Sequence, residues 1–282
     1  MTDLRDLEEW SGAVLSTEVD WPRQSTSRVY DLAVRLEQGM THHPAHPPYS
    51  FTLVSLHERR EGRTGHISGA SEMIVTGGHV GTHIDAVGHV AVDGCVFGDR
   101  DIVGAQDWAT GVGVGSVEEL APIAAAGHLV DGEALFGREL TPADGIGAEE
   151  FERWFAARPT PQPGSVVLVR TGRMKHWHDP ARYLATTEGI PGVSVSGAEW
   201  LLRHGVVATG ADTVNYEHKP ELRVVSMGVH SLLLVGSGVP IMECLNLERL
   251  AEDRVYEFFF TASPLRIGGA TGSPIRPLAF AR

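Results

Sequence analysis

The amino-acid sequence predicts a mixed-sheet α/β domain. Segments with strand-like patterning alternate with amphipathic helical segments, which is typical of α/β folds. The alternation does not keep a strict β–α–β spacing, so we expect a mixed sheet rather than a purely parallel one. The chain of 282 residues is long enough to bury a sizeable core, as one large domain or two small ones.

The N-terminal part of the chain is expected to hold an appendage followed by strands. Apolar residues on one side predict an amphipathic helix at residues 3–15, and a polar linker follows at residues 16–28. We therefore interpret residues 1–28 as an N-terminal extension and residues 29–282 as the main domain. Strand-like runs come next, at residues 29–36, 51–56 and 71–76. Prolines between the first two runs predict a rigid loop.

The remaining elements are predicted from periodicity, capping residues and turn signals. Helices are expected at residues 117–126, 148–157 and 196–204. Ser116 would cap the first of them, with two glutamates in its first turn. Short apolar runs predict strands at residues 165–170, 206–209 and 255–261. Residues 229–235 fit a strand or a helix, and glycine-rich loops are expected at residues 93–115 and 264–277.

The amino-acid composition limits which kinds of molecule this protein is expected to bind. A formal net charge of −13 argues against nucleic acid and against an anionic membrane surface. No stretch approaches the ~20 apolar residues of a membrane helix, and the charged start MTDLRDLEEW does not resemble a signal peptide. The two cysteines, Cys95 and Cys244, are interpreted as free thiols in a reducing compartment. We therefore expect a cytoplasmic protein that acts on a small molecule.

The densest cluster of metal-binding residue types is HVGTHIDAVGH, at residues 79–89. Along an extended strand the side chains of His79, His83 and Asp85 would point the same way, and Gly81 between them leaves the centre open. Two imidazoles and a carboxylate form a donor set for a divalent metal with positions left for water, the arrangement of catalytic sites. The alternative interpretation is a hydrogen-bonded histidine cluster in a tight turn.

This motif resembles the signature of the cyclase-like metal-dependent hydrolase family, the kynurenine formamidase and isatin hydrolase superfamily. Further blocks resemble the family in the expected order, at residues 30–32, 39–40, 46–49, 167–172, 210–213, 230–243 and 264–274. The resemblance therefore extends over most of the chain, with an N-terminal extension that makes it a long-form member. It implies a barrel-like mixed sheet flanked by helices, of the swivelling β/β/α type, and a homodimer or homotetramer.

The resemblance also implies roles for individual residues. His79, His83 and Asp85 would be metal ligands, and His89 would be the catalytic base that then serves as acid. Late in the chain, His230 and Glu243 would complete the site, holding one ion or two. Imidazole suits zinc, and carboxylates with water also suit manganese, so both metals stay open.

Several of these roles have alternatives. Glu243 lies in an apolar run and needs a partner, either the metal or an arginine. His230 could instead cap a helix or orient a ligand. Arg170, at a strand end, could bind a substrate carboxylate or pair internally. The histidines at residues 42–46 are interpreted as a wall of the substrate pocket rather than a second metal site.

The leading functional hypothesis is hydrolysis of a small amide, cyclic imide or lactam C–N bond by a metal-activated water with a histidine base. Hydrolysis or formation of a lactone or cyclic ester by the same site is the first alternative. A non-catalytic metal-stabilised binding protein is the second. From residue type and loop position, we expect substrate contacts from Tyr49, Phe97, Trp108, Arg170 and Trp177.

Overall fold

A nine-stranded mixed sheet forms the centre of the structure. The computed structural model describes residues 28–58, 66–184, 188–220 and 227–281. In chain order the strands are β1 (Arg28–Asp31), β2 (Ser50–Ser55), β3 (Ser71–Val75), β4 (His83–Asp85), β5 (Cys95–Val96), β6 (Arg100–Asp101), β7 (Gln106–Asp107), β8 (Gly111–Val112), β9 (Ile123–Asp131), β10 (Gly145–Ile146), β11 (Val166–Arg170), β12 (Gly192–Val193), β13 (Ala208–Ala211), β14 (Ile241–Glu243), β15 (Glu257–Ala262), β16 (Gly272–Pro274) and β17 (Leu278–Ala281).

The large sheet is curled into a half-barrel with the strand order β1-β17-β15-β9-β11-β13-β14-β4-β16. Its central strands β9, β11, β13 and β14 run parallel. The strands on both sides pair antiparallel, including β4 between β14 and β16. The prediction of one α/β domain with a mixed, barrel-like sheet is therefore confirmed.

Both faces of the sheet are covered, because β11 is buried along its whole length. Val167 and Val169 belong to one apolar cluster, and Val166 and Leu168 belong to another. Such a strand reads as a continuous apolar run, since successive side chains enter opposite layers. Stacked aromatic rings from two helices fill the first layer, namely those of Phe151, Phe155 and Trp200.

Few helices flank the sheet. They are α1 (Gly132–Phe136), α2 (Ala148–Phe155), α3 (Pro180–Leu184), α4 (Val195–Arg203), α5 (Gly228–His230) and α6 (Glu248–Glu252). The predicted helices at residues 148–157 and 196–204 are confirmed as α2 and α4. Residues 229–235 are helical, since α5 runs into one π-helical turn at Ser231–Val235. None of the helices in the described part of the chain is long and apolar enough to span a bilayer.

The predicted helix at residues 117–126 is wrong. Val117–Glu119 forms a single 3-10 turn, and the alanine-rich segment after it is strand β9. Pro122 disfavours helical backbone in the residue before it. Tertiary packing then overrides the helix propensity of alanine, because β9 lies at the centre of the sheet between β11 and β15.

Other boundaries shift by a few residues or gain an element. The strand predicted at residues 206–209 is β13, two residues later, and the loop predicted at residues 264–277 contains β16. The loop predicted at residues 93–115 folds into two small antiparallel ribbons. The predicted helix at residues 3–15 and nearly all of the linker at residues 16–28 lie outside the described residues.

Candidate metal centre

Strand β4 carries the centre of the predicted metal motif into the sheet. His83 lies opposite Glu243 of β14 in the antiparallel register, and directly opposed residues share one face of a sheet. Asp85 lies opposite Ile241 on one side and Gly272 of β16 on the other. Strand pairing therefore brings Glu243 to the motif, although 158 residues separate it from Asp85 in sequence.

His79 reaches the same face through a turn rather than along a straight strand. The turn contains Gly81 with a φ of +69°, a backbone conformation that favours glycine. The Nδ1 atom of His79 lies 2.7 Å from Asp85 Oδ1, and its Nε2 atom lies 3.0 Å from the hydroxyl oxygen of Thr271. A Cβ atom on Gly272 would come within 2.4 Å of the His79 ring, so the absent side chain makes room for this histidine.

His83 is oriented by the backbone. Its Nδ1 atom lies 2.8 Å from the Gly81 carbonyl oxygen and donates to it, which leaves Nε2 with its lone pair free. Nε2 lies 3.5 Å from Asp85 Oδ1 and 3.5 Å from Glu243 Oε2. A backbone hydrogen bond to the far nitrogen is the usual way in which a metal-binding histidine is fixed.

His230 approaches the carboxylates from the helical side. Its Nε2 atom lies 3.3 Å from Glu243 Oε1 and 4.0 Å from Asp85 Oδ2. Its Nδ1 atom faces Glu217 Oε2 at 3.6 Å. The residues that the sequence predicts as ligands thus lie together, although they come from three separate segments of the chain.

Glu217 and Thr271 are parts of this site that sequence reasoning missed. Glu217 is only 3% exposed, and its Oε2 atom accepts a hydrogen bond from the Val229 backbone at 2.8 Å. Its other oxygen and Nδ1 of His230 are both buried without a hydrogen-bond partner. Glu217 belongs to no recognisable motif, whereas Thr271 lies within the C-terminal block that resembles the family.

The donor atoms fit a divalent metal. Two groups of donors, His79–Asp85–His89 and His83–Asp85–Glu243, each hold atoms within 4.8 Å of one another and share Asp85. Ligand atoms that lie about 2.0–2.2 Å from a tetrahedral zinc ion are roughly 3.3–3.6 Å apart, close to the spacings around His83. Because the two groups share one carboxylate, the geometry accommodates one ion or two.

The buried carboxylates of the site also need a positive charge near them. Asp85, Glu217 and Glu243 are all buried, and within the described ranges no lysine or arginine forms an ion pair with them. Burial opposes a charge on His230, but the contacts with Glu217 and Glu243 outweigh burial and raise its pKa to about 10. Burial likewise opposes ionisation of Asp85, yet the bond from His79 and the neighbouring histidines lower its pKa. A bound cation would satisfy the same carboxylates.

His89 lies beside the ligands at the end of a tight turn. Its backbone N–H donates to the Ala86 carbonyl, and its ring centroid lies 4.1 Å from that of His79. Burial is the main cause that lowers the pKa of His89 to about 4, so its imidazole is neutral at pH 7 and can accept a proton. His89 is close enough to Asp85 and His79 to act as a base or as a further ligand.

The predicted substrate residues lie in different environments. Trp108 is fully exposed at the tip of the β7–β8 ribbon, and Phe97 is 42% exposed with its ring against Gly238. Tyr49 is half-buried beside a small apolar cluster that includes Trp177, which packs edge-to-face on a buried tyrosine.

Arg170 is held inside the protein. Its guanidinium donates to Asp131 at 2.7 Å, to Glu133 at 2.9 Å and to both carboxylate oxygens of Glu248 at 2.9 and 2.7 Å. These bonds outweigh the burial of the side chain and raise the pKa of Arg170. The geometry therefore favours the internal pairing that the sequence left as one of two alternatives.

Sequence comparison assigns the family. The profile of the Cyclase family matches residues 30–218, which is more than half of the chain. The chain belongs to the Cyclase family. Among curated proteins, no sequence matches it.

Solved structures with the same fold cover nearly the whole of this Cyclase-family chain. A structure described as a novel cyclase has a TM-score of 0.82 at 24% identity, over 90% of this chain and 87% of its own. Isatin hydrolase A from Ralstonia solanacearum has a TM-score of 0.71 at 24% identity, over 91% and 92%. A predicted metal-dependent hydrolase from Bacillus stearothermophilus has a TM-score of 0.57 at 20% identity, over 92% and 100%. These similarities establish the fold.

Proposed function

We propose that this protein is a metal-dependent hydrolase that cleaves the C–N bond of a small amide, cyclic imide or lactam. One observation carries the proposal: histidines and carboxylates from three segments converge in a buried site with metal-like spacing, and no described lysine or arginine pairs with those carboxylates. The names of the structural neighbours, among them isatin hydrolases and metal-dependent hydrolases, support this class of activity.

The chemistry needs an activated water and a proton carrier. A bound zinc or manganese ion lowers the pKa of water toward ~7 and polarises a carbonyl group. His79, His83, Asp85, His230 and Glu243 would hold it. His89, next to these ligands, would take a proton from the attacking water and return it to the leaving nitrogen.

The same site could open a lactone or cyclic ester, because only the leaving atom differs. A C–N substrate needs a proton on its departing nitrogen, and a histidine beside the ligands supplies one. The position of His89 also argues against a purely structural metal, which has no use for an additional base.

The test combines metal analysis with a hydrolysis screen. The purified protein should contain zinc or manganese, and should hydrolyse one class among N-formyl amines, cyclic imides and lactones in a chelator-sensitive manner. His83→Ala should lose metal and activity together, whereas His178→Ala, at an exposed histidine, should keep both. Bound metal without turnover of any substrate would favour the binding-protein alternative. A protein that takes up no metal after reconstitution would refute the proposal.

Three further expectations accompany this function. The protein would be cytoplasmic, as its two free thiols suggest, and a homodimer or homotetramer. Residues 1–28 would be an extension to a catalytic domain at residues 29–282. Fractionation of cells, sedimentation of the purified protein and truncation at residue 28 would test these points in turn.

A further inference from the structure

Two of the described residues combine burial with a strained backbone, and both adjoin carboxylates of the metal centre. Within the described ranges, the residues other than glycine with positive φ have values between +29° and +55°. Most of them are exposed, whereas Tyr216 and Cys244 are buried. Tyr216 precedes Glu217, and Cys244 follows Glu243. Such strain persists only where the surrounding structure holds it, and it is concentrated at functional sites.

The strain at Cys244 lies where a strand pairing ends. The antiparallel pairing of β4 with β14 stops at His83 and Glu243, and in the same register the next pair would be Thr82 and Cys244. The backbone of Cys244 turns away instead, with a φ of +55°, and its N–H donates to the Thr213 carbonyl at 3.0 Å. The last pair of this ladder therefore consists of two predicted metal ligands.

The side chain of Thr82 takes over where the backbone pairing stops. Its hydroxyl donates to the Cys244 carbonyl at 2.6 Å and accepts from the Val34 N–H at 2.9 Å. On the other side of β4 the Thr82 carbonyl accepts from the Ile275 N–H at 3.0 Å, which continues the pairing with β16. Because Thr82 is only 2% exposed, loss of its hydroxyl would leave a carbonyl and an N–H buried without these partners.

The Thr82 hydroxyl joins three segments at a place that would otherwise open easily. Val34 lies three residues beyond the end of β1, and Cys244 lies one residue beyond the end of β14. β4 and β14 have only three residues each. The ends of short elements open at the lowest free energy, so the last pair of these two strands needs a further restraint.

We propose that Thr82 is a positioning residue of the metal centre, whose hydroxyl keeps His83 and Glu243 next to each other. The proposal rests on the proposed metal site, because it explains how two of its ligands keep their spacing. The hydrogen bonds of the hydroxyl go to backbone atoms, so it acts through the chain that precedes His83 and follows Glu243. Opening of this end would separate His83 Nε2 from Glu243 Oε2, which now lie 3.5 Å apart.

Titration of the apoprotein with zinc tests the proposal. Thr82→Val keeps the shape of the side chain and removes the hydroxyl, so zinc affinity should fall about 10-fold or more. Thr82→Ser keeps the hydroxyl and should bind zinc like the wild type. Thr41→Val is the matched control, because Thr41 is 4% exposed and its hydroxyl donates to the Trp177 carbonyl at 2.5 Å. Neither of these two residues adjoins a predicted ligand in sequence, so this variant should keep its zinc affinity even if it loses stability.

Thiol labelling of the apoprotein provides a readout that needs no metal. Cys244 is 3% exposed, and iodoacetamide should label it slowly, as measured by mass spectrometry. In Thr82→Val the labelling of Cys244 should be about 10-fold faster, because the turn opens more often when its carbonyl has lost this partner. Cys95, the other free cysteine, is partly exposed and serves as the internal control, with an unchanged rate.

Hydrogen exchange on the wild type needs no variant and completes the test. The Val34 amide lies outside β1 and donates to the Thr82 hydroxyl, so it should exchange slowly. Wild-type zinc affinity in Thr82→Val, an equal loss in Thr41→Val, or fast exchange at Val34 would overturn the proposal. A wild type that binds no metal would instead refute the proposed function. Unchanged labelling of Cys244 in Thr82→Val would still overturn the role of Thr82 in that case.

Discussion

Replacing Arg170 with methionine should destabilise the protein without removing its substrate site. The Arg170 side chain is 5% exposed and its guanidinium donates to three carboxylates. Methionine fills a similar volume but leaves these carboxylates without their cation. Breaking a buried ion pair by removing one partner costs about 3–5 kcal/mol, because the remaining charge is left uncompensated.

The structure indicates a value near the lower end of that range. Asp131 has a side chain only 8% exposed and would bear most of the loss. Glu133 keeps a second partner, since Lys175 Nζ lies 2.5 Å and 2.7 Å from its two oxygens. Glu248 is 20% exposed and can recover part of its hydration. We therefore expect a loss of about 3 kcal/mol at pH 7.

Urea unfolding followed by tryptophan fluorescence measures this loss. The midpoint should fall by roughly 1 M or more at an unchanged slope, since small proteins lose about 1–3 kcal/mol per molar urea. The matched control is Arg100→Met, because Arg100 pairs with one carboxylate, Glu119, and both side chains are at least 35% exposed. That variant should lose less than about 1 kcal/mol. A small loss for Arg170→Met together with a raised KM would refute the reasoning and make Arg170 a substrate-binding residue.

Three further substitutions test the metal centre. His89→Ala should retain bound metal and lose rate by about 10²-fold or more, whereas loss of metal would make this residue a ligand. Glu217→Gln should weaken metal affinity about 10–100-fold, as measured by titrating the apoprotein with metal. Unchanged affinity would make Glu217 a structural carboxylate. Gly272→Ala should lower metal content because its Cβ would displace His79. Gly69→Ala, with open space around it, should not, and equal effects of the two glycine variants would contradict the steric argument.

The sequence predicted the local half of this site because the motif is short. His79, His83 and Asp85 lie within seven residues, so their proximity is guaranteed by chain connectivity alone. The expectation that all three residues lie along one extended strand was wrong for His79. Only His83 and Asp85 lie on a strand, and His79 arrives through a turn at Gly81.

Secondary structure was predictable where hydrophobic pattern and tertiary pairing agree. It was not predictable where local propensity and tertiary pairing favour different structures. The strand at Val166–Arg170 is an apolar run bounded by a turn, and the structure confirms it. In Ile123–Asp131 the alanines favour a helix by propensity, yet the segment pairs with a strand on each side. Nothing local indicates that those two partners exist, since β11 begins 35 residues after the end of β9 and β15 begins 126 residues after it.

Strand register explains why the distant half of the site required the structure. Glu243 could be proposed as a ligand because it is a carboxylate in an apolar run, with a salt bridge to an arginine as the alternative. The register pairs Glu243 with His83, and a shift of one residue would turn its carboxylate to the opposite face. Glu217 depends on how the chain returns to His230, and no periodicity or motif encodes that path. One short segment therefore supplies most of the predicted ligands and the predicted base. The buried carboxylates that set the charge around them depend on contacts between distant parts of the chain.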